Sequence, residues 1–328
     1  MPYSNLRKIK LLKIWEILNR ETDESHPMST ATLTARLAEF GIEVDRKILY
    51  SDIKLLNDCG YEIKHTRAIS NEYYVVDRSF DIPEIRILMD AVQAASFITA
   101  KKTNGFISRI AQLAGDKKAE VMKKNTVEFH TPKSDNEKIF YNVDAIGNAI
   151  EQRRQISFLY FDYDIKHQRV YRKDKRRYIV NPLSTVFSMD NYYLMCYDDK
   201  HSGIGHYRID RMDDVQISDT PITDNEEVKQ FDLSRHKRAL FGMFNGDDAQ
   251  VTFRADKSLV DHIFDRFGDD IHIIQGEGDT VIFTADVQVS KPFLGWCCSF
   301  GNLLKVTSPQ SVAEQVKQYA IDVVEQYK

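Results

Sequence analysis

The sequence has few cysteines and no long apolar segment. Its four cysteines are spread too widely for a zinc-binding pattern, and the adjacent pair Cys297 and Cys298 lacks the two-residue spacing of a metal knuckle. We therefore expect the cysteines to be small core residues. No run approaches the roughly 18 consecutive apolar residues of a membrane span, and the N-terminus lacks the long apolar region of a secretory signal. We expect a cytoplasmic protein that does not contact a membrane.

Motifs of common catalytic sites are also missing. The sequence has no G-x-x-x-x-G-K-[ST], G-x-G-x-x-G, H-E-x-x-H or G-x-S-x-G, so phosphate cradles, zincin sites and nucleophile elbows are unsupported. Asp162, Asp164 and His167 could hold a metal ion. No second acidic cluster accompanies them, however, and a charged hairpin end is the more frequent origin of such a pattern. We expect no catalytic residues, no metal site and no cofactor; an enzyme that acts on nucleotides is the disfavoured alternative.

The composition is typical of a globular protein with more than one domain. Hydrophobic residues make up 42% and charged residues 29% of the 328 positions, and a chain of this length exceeds one ordinary core. The net charge of −4 hides a basic segment, because residues 151–181 hold nine Lys or Arg against four Asp or Glu. This segment could attract an anion, or it could be a hairpin tip that only aids solubility.

Residues 44–63, VDRKILYSDIKLLNDCGYEI, predict a helix with one apolar and one polar side. On a helical projection the apolar side collects Ile48, Leu49, Ile53, Leu55, Leu56 and Cys59. The polar side collects Arg46, Lys47, Tyr50, Ser51, Lys54, Asn57 and Asp58. Asp45 is a suitable N-cap and Gly60 a suitable C-terminal stop. Asp52 points to the apolar side and needs a partner on a neighbouring helix. The polar side is either a solvated surface or a DNA-reading face.

The flanking segments favour the DNA-reading interpretation. One helix is predicted at residues 5–20 and a second within residues 29–41, with Thr30 as its expected cap. After the third helix, residues 61–64 and 72–76 alternate like two strands around a basic tip. This order of three helices and a hairpin predicts a winged helix-turn-helix domain.

The stretch DRKILYSDIKLLNDCGYEIK resembles the recognition helix of the winged-helix domains in DeoR-like and WYL-domain transcription regulators. Those domains usually carry Asp-Arg-Arg-Thr-Ile-Tyr-Arg-Asp-Ile at this place, and Ser51 replaces a basic residue of that pattern. The resemblance implies that double-stranded operator DNA is the partner, contacted by the helix and the wing. The residues expected at the DNA are Arg46, Lys47, Tyr50, Ser51, Lys54, Lys64 and Arg67.

Residues 83–124 predict a helical connector. The segment opens on Pro83, which suits the first turn of a helix, and continues as a long helix followed by FISRIAQLAG and KKAEVMKKN. An apolar stripe on the long helix would pack either on the next domain or on a second subunit. The stripe consists of Ile85, Leu88, Val92 and Ala95. Because helix-turn-helix proteins usually bind paired half-sites, we expect a homodimer.

The segment from residue 143 onward predicts one helix and five short strands, which suits a small closed barrel. It resembles the WYL domain, which is named for a Trp-Tyr-Leu tripeptide. The resemblance rests on Pro182 and Leu183, on YYL at 192–194 and on YRIDRM at 207–212, and Tyr192 stands where Trp is usual. It implies an Sm/SH3-like barrel with a pocket for a regulatory ligand, which in some members is a nucleic-acid oligomer.

The predicted ligand is an anionic effector, such as an oligonucleotide or a nucleotide. His206, Arg208 and Asp210 alternate along one strand and should share a face. Arg208 offers a bidentate fork to a phosphate, Arg211 could converge on the same anion, and nearby tyrosines could stack a base. In the alternative, the tyrosines are barrel core and Arg208 pairs with Asp210 or Asp213. The predicted effector-binding residues are Tyr192, Tyr193, His206, Arg208 and Arg211.

The last segment predicts the order strand, helix, strand pair, helix, strand and helix, and it resembles the ferredoxin-like α+β extension that often follows WYL domains. The whole chain is thus expected to be a multidomain α+β protein. The predicted domains are 1–80 winged helix-turn-helix, 81–130 helical connector, 131–220 WYL domain and 221–328 C-terminal extension. We expect a DNA-binding transcription regulator that senses its effector. The alternative is a ligand-sensing or scaffolding protein whose N-terminal domain contacts a protein.

Overall fold

The structure is a computed structural model, and it describes residues 3–67, 71–76, 78–124, 132–224, 226–230 and 232–328. Side chains are described for all of these except residues 3–8, 67, 227, 235, 237 and 238. The chain divides into two compact units, Met1–Asp135 and Asn136–Lys328. The predicted domain boundaries near residues 80, 130 and 220 stay predictions.

The N-terminal unit is mainly helical and contains a small antiparallel sheet. Its elements are α1 (Tyr3–Glu21), β1 (Met28–Ser29), α2 (Thr30–Glu39), α3 (Arg46–Asp58), β2 (Ile63–Arg67), β3 (Asn71–Val75), α4 (Ile82–Ala94), α5 (Ala100–Gln112) and α6 (Asp116–Lys124). The strands of the sheet lie in the order β1-β3-β2. Leu18 of α1, Leu33 of α2 and Leu49 of α3 are fully buried in one core with Val75 of β3. Burial of each such side chain contributes about 1.5–3 kcal/mol.

Helix α3 begins and ends where the sequence predicts. Asp45 Oδ1 accepts the N–H of Ile48 at 3.0 Å, which caps the first turn. Gly60 has a φ of +92°, a left-handed conformation that glycine adopts without a steric cost, and its N–H bonds to the carbonyl of Asn57 at 3.0 Å. Local capping chemistry therefore defines this helix.

The apolar side of α3 is narrower than predicted. The buried residues are Leu49, Ile53 and Leu56. The exposed residues of the predicted apolar side are Ile48, Leu55 and Cys59. The buried positions form a single line at spacings of four and three residues, because α3 lies at the surface and touches the core along that line. Asp52 has its expected partner on another helix, since its carboxylate lies 2.6 Å from Lys10 Nζ of α1.

Two predicted helix boundaries are wrong. The cap of α2 is Ser29 rather than Thr30, because the Ser29 hydroxyl accepts the N–H of Thr32 at 3.1 Å. The long helix predicted from residue 83 is two helices, α4 and α5, and the Thr99 hydroxyl caps the second one. The ammonium group of Lys133 donates to two carbonyls at the end of α4, at 2.6 and 2.9 Å. That contact satisfies backbone groups that the interrupted helix leaves without partners.

Helices α4, α5 and α6 pack around their own small core. Ile85, Met89 and Ala111 are buried there. In the predicted apolar stripe, Ile85 and Ala95 are buried, whereas Leu88 is exposed. The stripe is therefore covered in part by the neighbouring helices of the same unit.

The second unit contains two antiparallel sheets with their helices. Its helices are α7 (Ile139–Glu151), α8 (Glu226–Lys229), α9 (Leu233–Ala239), α10 (Val260–Phe267), α11 (Lys291–Ser299) and α12 (Gln310–Glu325). Its strands are β4 (Arg154–Tyr163), β5 (Arg169–Tyr171), β6 (Tyr178–Ser188), β7 (Asn191–Asp198), β8 (Gly203–Arg208), β9 (Met212–Pro221), β10 (Asp247–Asp256), β11 (Ile273–Gln275), β12 (Thr280–Val289) and β13 (Leu304–Ser308). Short 3₁₀ turns lie at Arg172–Lys175, Ile209–Arg211, Lys257–Leu259 and Gly301–Leu303.

Strands β4 to β9 form a half-barrel. The order is β5-β4-β6-β7-β8, and β9 pairs with β4 as well. Five strands were predicted and six are present. The additional strand is the short β5, which lies in the basic segment. One side of the sheet packs four aromatic rings with centroids 5.3–6.2 Å apart. These rings belong to Phe158, Tyr160, Tyr178 and Tyr207. Closure into an Sm/SH3-like barrel stays a prediction.

Strands β10 to β13 form a second sheet, in the order β11-β12-β10-β13. Helices α10, α11 and α12 pack on the face that buries Phe253, Phe283 and Phe293. The predicted order of strands and helices is confirmed here, while the ferredoxin-like assignment stays a prediction. Within the described residues, no helix is both long and apolar enough to cross a membrane.

Arg78 ties the hairpin of β2 and β3 to the end of α1. Its guanidinium donates to the carbonyls of Asn19, Thr22 and Val75 at 3.0, 2.6 and 3.3 Å. Gly115, with a φ of +87°, lies so close that a Cβ there would be 3.0 Å from Arg78 Nη2. Three carbonyls from the ends of a helix and a strand therefore depend on the Arg78 side chain. Position 115 requires a glycine, because a side chain there would crowd the Arg78 guanidinium.

We expect Arg78→Ala to lower the free energy of unfolding of the N-terminal unit by about 3 kcal/mol, because three partly buried carbonyls lose their donor. Urea unfolding would be followed by Trp15 fluorescence in a Trp296→Phe background, so that the signal comes from this unit alone. Arg86→Ala removes an exposed arginine of α4 and should change stability by less than about 0.5 kcal/mol. Equal effects of the two substitutions would contradict the role of Arg78.

Candidate functional site

The five residues of α3 that were predicted to read DNA are all exposed. They are Arg46, Lys47, Tyr50, Ser51 and Lys54. Helical spacing explains their common side, because they fall three or four positions apart along the helix. The ring of Tyr50 lies 6.4 Å from the ring of Tyr73 on β3, which places this side chain next to the hairpin.

The cations of α3 are not neutralised by other described residues. Arg46, Lys47 and Lys54 form no ion pair or side-chain hydrogen bond within the part of the chain that the structure describes. Two carboxylates of the same segment are engaged elsewhere, since Asp45 caps α3 and Asp52 pairs with Lys10. The helix therefore exposes three positive charges that are available to a polyanion.

The predicted wing residues lie on β2. Lys64 is exposed and lies opposite Tyr74 of β3, one residue after the hairpin begins at Ile63. Arg67 is the last residue of β2, and its side chain lies outside the described residues. The described wing cation is thus close in sequence to the end of α3.

The predicted effector residues on β7 and β8 fall on two faces of the half-barrel. Tyr193 lies opposite Arg208 and Met195 opposite His206, so these four side chains share one face. Tyr192 is adjacent to Tyr193 and therefore points to the other face. The structure brings Tyr193, His206 and Arg208 together and separates Tyr192 from them.

Arg208 has an acidic partner. Its Nε and Nη2 donate to the two carboxylate oxygens of Asp210 at 3.0 and 2.8 Å. The side chain of Asp210 is 7% exposed. Asn136 donates to the carbonyl of Asp210 at 2.8 Å, and the N–H of Arg208 donates to the Tyr160 hydroxyl at 3.2 Å. The ion pair weighed as the alternative role of Arg208 is therefore present, and its bidentate geometry fixes the orientation of the guanidinium.

Arg211 shares an acidic partner with Arg172, a residue that sequence analysis did not select. Asp162 Oδ1 accepts from Arg211 Nη1 at 3.2 Å and from Arg172 Nη2 at 2.9 Å, and Oδ2 accepts from Arg172 Nε. The hydrogen bond from Arg172 and the two positive charges hold the pKa of Asp162 below its ordinary value. Two guanidinium groups thus meet at one carboxylate, and the sequence signal for Arg172 was the basic excess of residues 151–181.

The basic segment packs its cations on aromatic rings. The Arg172 guanidinium lies 5.1 Å from the ring centre of Tyr160, and Lys173 Nζ lies 4.0 Å from that of Tyr178. Residues 173–175 all have positive φ values, of 51°, 49° and 62°. This left-handed conformation costs a residue other than glycine about 1–2 kcal/mol. Contacts between the turn and the sheet offset that cost.

The other two residues that were weighed as metal ligands have structural contacts. Asp164 Oδ1 accepts the N–H groups of Lys166 and Gln168 at 2.8 and 2.7 Å, which closes the end of the hairpin. The ring of His167 stacks on the ring of Tyr163 with centroids 4.1 Å apart. Both contacts are those of a charged hairpin end.

His206 contacts a second histidine on α9. The Nε2 atoms of His206 and His236 lie 3.0 Å apart, so one ring donates and the other accepts. Burial, together with the neighbouring imidazole, lowers the pKa of His206 from 6.5 to about 4, and burial also lowers the pKa of His236. On the same face Met195 packs with Leu240 in a buried cluster. His206 therefore lies in the contact between the half-barrel and the segment that follows it.

Comparison with known proteins identifies the half-barrel. Residues 141–217 match the family model of the WYL domain, so the chain contains a WYL domain, as predicted. A search of the curated proteins finds no match. The solved structures that are similar include the proteasome accessory factor B/C (PafBC) of Arthrobacter aurescens, at 17% identity and a TM-score of 0.28. That match covers 94% of this chain and 46% of the other, so this chain spans less than half the length of PafBC. A CRISPR Cas-related protein also matches, at 13% identity and a TM-score of 0.24. That match covers 99% of this chain and 84% of the CRISPR Cas-related protein.

The partly buried His206 predicts a pH dependence of stability. Because the pKa of His206 is depressed in the folded protein, the unfolded chain binds more protons between pH 6.5 and about 4. Stability should therefore fall as the pH is lowered through that window. We expect His206→Gln, whose amide can still bond to His236, to reduce this fall by about 2 kcal/mol relative to the wild type.

The measurement is the free energy of urea unfolding at several pH values from neutral to acidic. His201→Gln serves as the matched control, because the side chain of His201 is 73% exposed, and its curve should follow the wild type. A His206→Gln curve parallel to the wild-type curve would show that His206 does not carry this pH dependence.

Proposed function

We propose that the protein is a sequence-specific, DNA-binding transcription regulator whose WYL domain senses an anionic effector. The observation that carries the proposal is the exposed side of α3, where three cations without described partners lie beside Tyr50 and Ser51. Major-groove recognition needs such side chains, because Arg and Lys bind guanine edges or phosphates and hydroxyl groups bind either.

The arrangement of the N-terminal elements supports a winged helix-turn-helix domain. Helices α2 and α3 are joined by residues 40–45, and the hairpin of β2 and β3 follows α3 directly. In this arrangement α3 is the recognition helix and the hairpin is the wing. Helix α3 has 13 residues, so it is about 20 Å long and can lie in a major groove that is about 12 Å wide.

The effector site proposed for the WYL domain centres on the arginines. Arg172 and Arg211 share the single carboxylate of Asp162, so the pair carries a net positive charge. A phosphate group can displace Asp162 from Arg211, because two guanidinium groups offer more donors than one carboxylate accepts. Tyr193, opposite Arg208, offers a ring for base stacking. An oligonucleotide or a nucleotide combines these two chemical features.

The rest of the proposal concerns assembly and location. The regulator would act in the cytoplasm as a homodimer on paired half-sites, without catalysis or a cofactor. The alternative is that α3 contacts a protein, and the feature that favours it is the exposure of Ile48 and Leu55, at 45% and 48%. The DNA-binding experiment distinguishes the two.

We expect Arg46→Ala and Tyr50→Ala each to weaken operator binding by about 1–3 kcal/mol where a base contact is lost. Fluorescence anisotropy with labelled fragments of the DNA upstream of the protein's own gene would measure the affinity at fixed salt. Lys101→Ala removes an exposed cation from α5 and should leave the affinity within about twofold. Unchanged affinity in both α3 variants would exclude α3 as the recognition helix, and absence of DNA binding by the wild type would favour the protein-contact alternative.

We expect Arg211→Gln to weaken binding of short single-stranded DNA by about tenfold, equivalent to about 1.4 kcal/mol, because one of two convergent guanidinium groups is lost. Arg172 continues to hold Asp162 in this variant, so the fold should persist, which a melting curve would verify. Arg177→Gln is the matched control, because Arg177 pairs with Asp214 and not with Asp162. Wild-type affinity in Arg211→Gln would exclude this site; no binding by the wild type would exclude this effector class.

A further inference from the structure

Asn57 lies on the exposed side of α3, yet its amide is engaged by the hairpin. Nδ2 donates to the carbonyl of Ile63 at 3.0 Å, and Oδ1 accepts the N–H of Ile63 at 2.8 Å. Asn57 follows Lys54 by three positions and Tyr50 by seven, so the three side chains lie along one side of the helix. The sequence pattern places Asn57 among the polar residues of that side, and in the structure its amide has a separate partner.

The two hydrogen bonds satisfy an edge of the sheet. Ile63 is the first residue of β2, and β2 is an outer strand in the order β1-β3-β2. In an antiparallel strand, the N–H and C=O of one residue both point toward the partner strand, and those of the next residue both point away from it. Ile63 directs both groups to Asn57, and its N–H is shared with the carbonyl of Tyr61 at 3.0 Å. The amide of Asn57 thus takes the place of a neighbouring strand. An amide suits this position because it carries one donor and one acceptor.

The same contact fixes where the hairpin begins. The side chain of Ile63 is 4% exposed in the N-terminal core, and Lys64, the next residue, is exposed. The chain reverses between Asp58 and Ile63, and the amide of Asn57 bridges this reversal. The backbone hydrogen bond from the N–H of Tyr61 to the carbonyl of Leu56, at 3.0 Å, closes the same reversal. Asn57 and the burial of Ile63 then fix where Lys64 lies relative to the exposed side of α3.

We infer that Asn57 is a positioning residue for DNA binding, which holds the wing so that Lys64 meets a phosphate while α3 lies in the groove. The inference rests on the proposed function. Its physical basis is preorganisation. The contacts of α3 and of Lys64 with DNA both contribute fully to affinity when the wing is already held in place, whereas a mobile wing would lose conformational entropy on binding. Without Asn57, the contribution of Lys64 shrinks although Lys64 itself is unchanged.

The test is a double-substitution cycle with Lys64→Ala, Asn57→Ala and both together. The probe is duplex DNA from upstream of the protein's own gene, and affinity is measured between about 50 and 200 mM salt. In the wild-type background, Lys64→Ala should reduce the slope of log affinity against log salt by about 0.9, the value for one phosphate contact. In the Asn57→Ala background the reduction should be about 0.3 or less.

Leu55→Ala is the matched control, because Leu55 is a 48% exposed, uncharged residue in the same last turn of α3. In that background, Lys64→Ala should reduce the slope by the wild-type amount. A residue that merely stabilises the domain would lower affinity without changing the increment from Lys64. Equal increments in all three backgrounds therefore overturn the inference and leave the proposed function standing, whereas a wild type that does not bind DNA overturns the proposed function itself.

A measurement without DNA covers the case in which Asn57→Ala impairs folding. Amide hydrogen exchange at Ile63 should accelerate at least about tenfold in Asn57→Ala, while exchange at Ile53 in α3 stays slow. If Ile53 also loses protection, Asn57→Leu replaces it, because leucine has a similar size and favours the helix but lacks both the acceptor for the Ile63 N–H and the donor for the Ile63 carbonyl. Wild-type exchange at Ile63 in a folded variant would overturn the inference.

Discussion

The antiparallel register of β7 and β8 determines which side chains of the WYL domain can meet. Side chains alternate between the two faces of a strand, so Leu194 and Tyr207 lie on one face and Tyr193 and Arg208 on the other. Tyr207 belongs to the aromatic core with Phe158. A shift of one residue in this register would bury the arginine and expose the core. The burial of the aromatic rings therefore holds the candidate effector face in place.

The charges of the two candidate sites are balanced differently. On α3, Arg46, Lys47 and Lys54 have no partner among the described residues, so the proposed DNA ligand would meet them without displacing another group. In the WYL domain, Arg208 is held by Asp210 and Arg211 by Asp162. A ligand there must offer more hydrogen-bond acceptors and more negative charge than the carboxylate that it displaces. This requirement favours groups with several negative oxygens and discriminates against weak anions. The first arrangement favours rapid association, and the second favours selectivity.

Sequence predicted the parts of the structure that depend on local chemistry. The start and end of α3 follow from the Asp45 cap and Gly60, and the match to the WYL family model agrees with the resemblance drawn from residues 182–212. Strand alternation alone could have separated Tyr192 from Tyr193. The convergence of Arg172 and Arg211 on Asp162 could not be predicted, because β4, the turn after β5 and the turn after β8 meet there only in the folded sheet. The break between α4 and α5 lacks the usual signal, since neither proline nor glycine occurs in residues 94–100.

Strand β8 links the candidate effector face to the C-terminal part of the same unit. Arg208 and His206 are two positions apart on one face, the first paired with Asp210 and the second in contact with His236 of α9. Both residues belong to one hydrogen-bonded strand, so the position of β8 determines where each side chain meets its partner. The histidine contact is partly buried, and separation of the two rings would leave a ring nitrogen without its partner, which costs up to about 1–3 kcal/mol where water cannot replace it. The orientation of the arginine face and the packing of α9 therefore both depend on one strand of six residues.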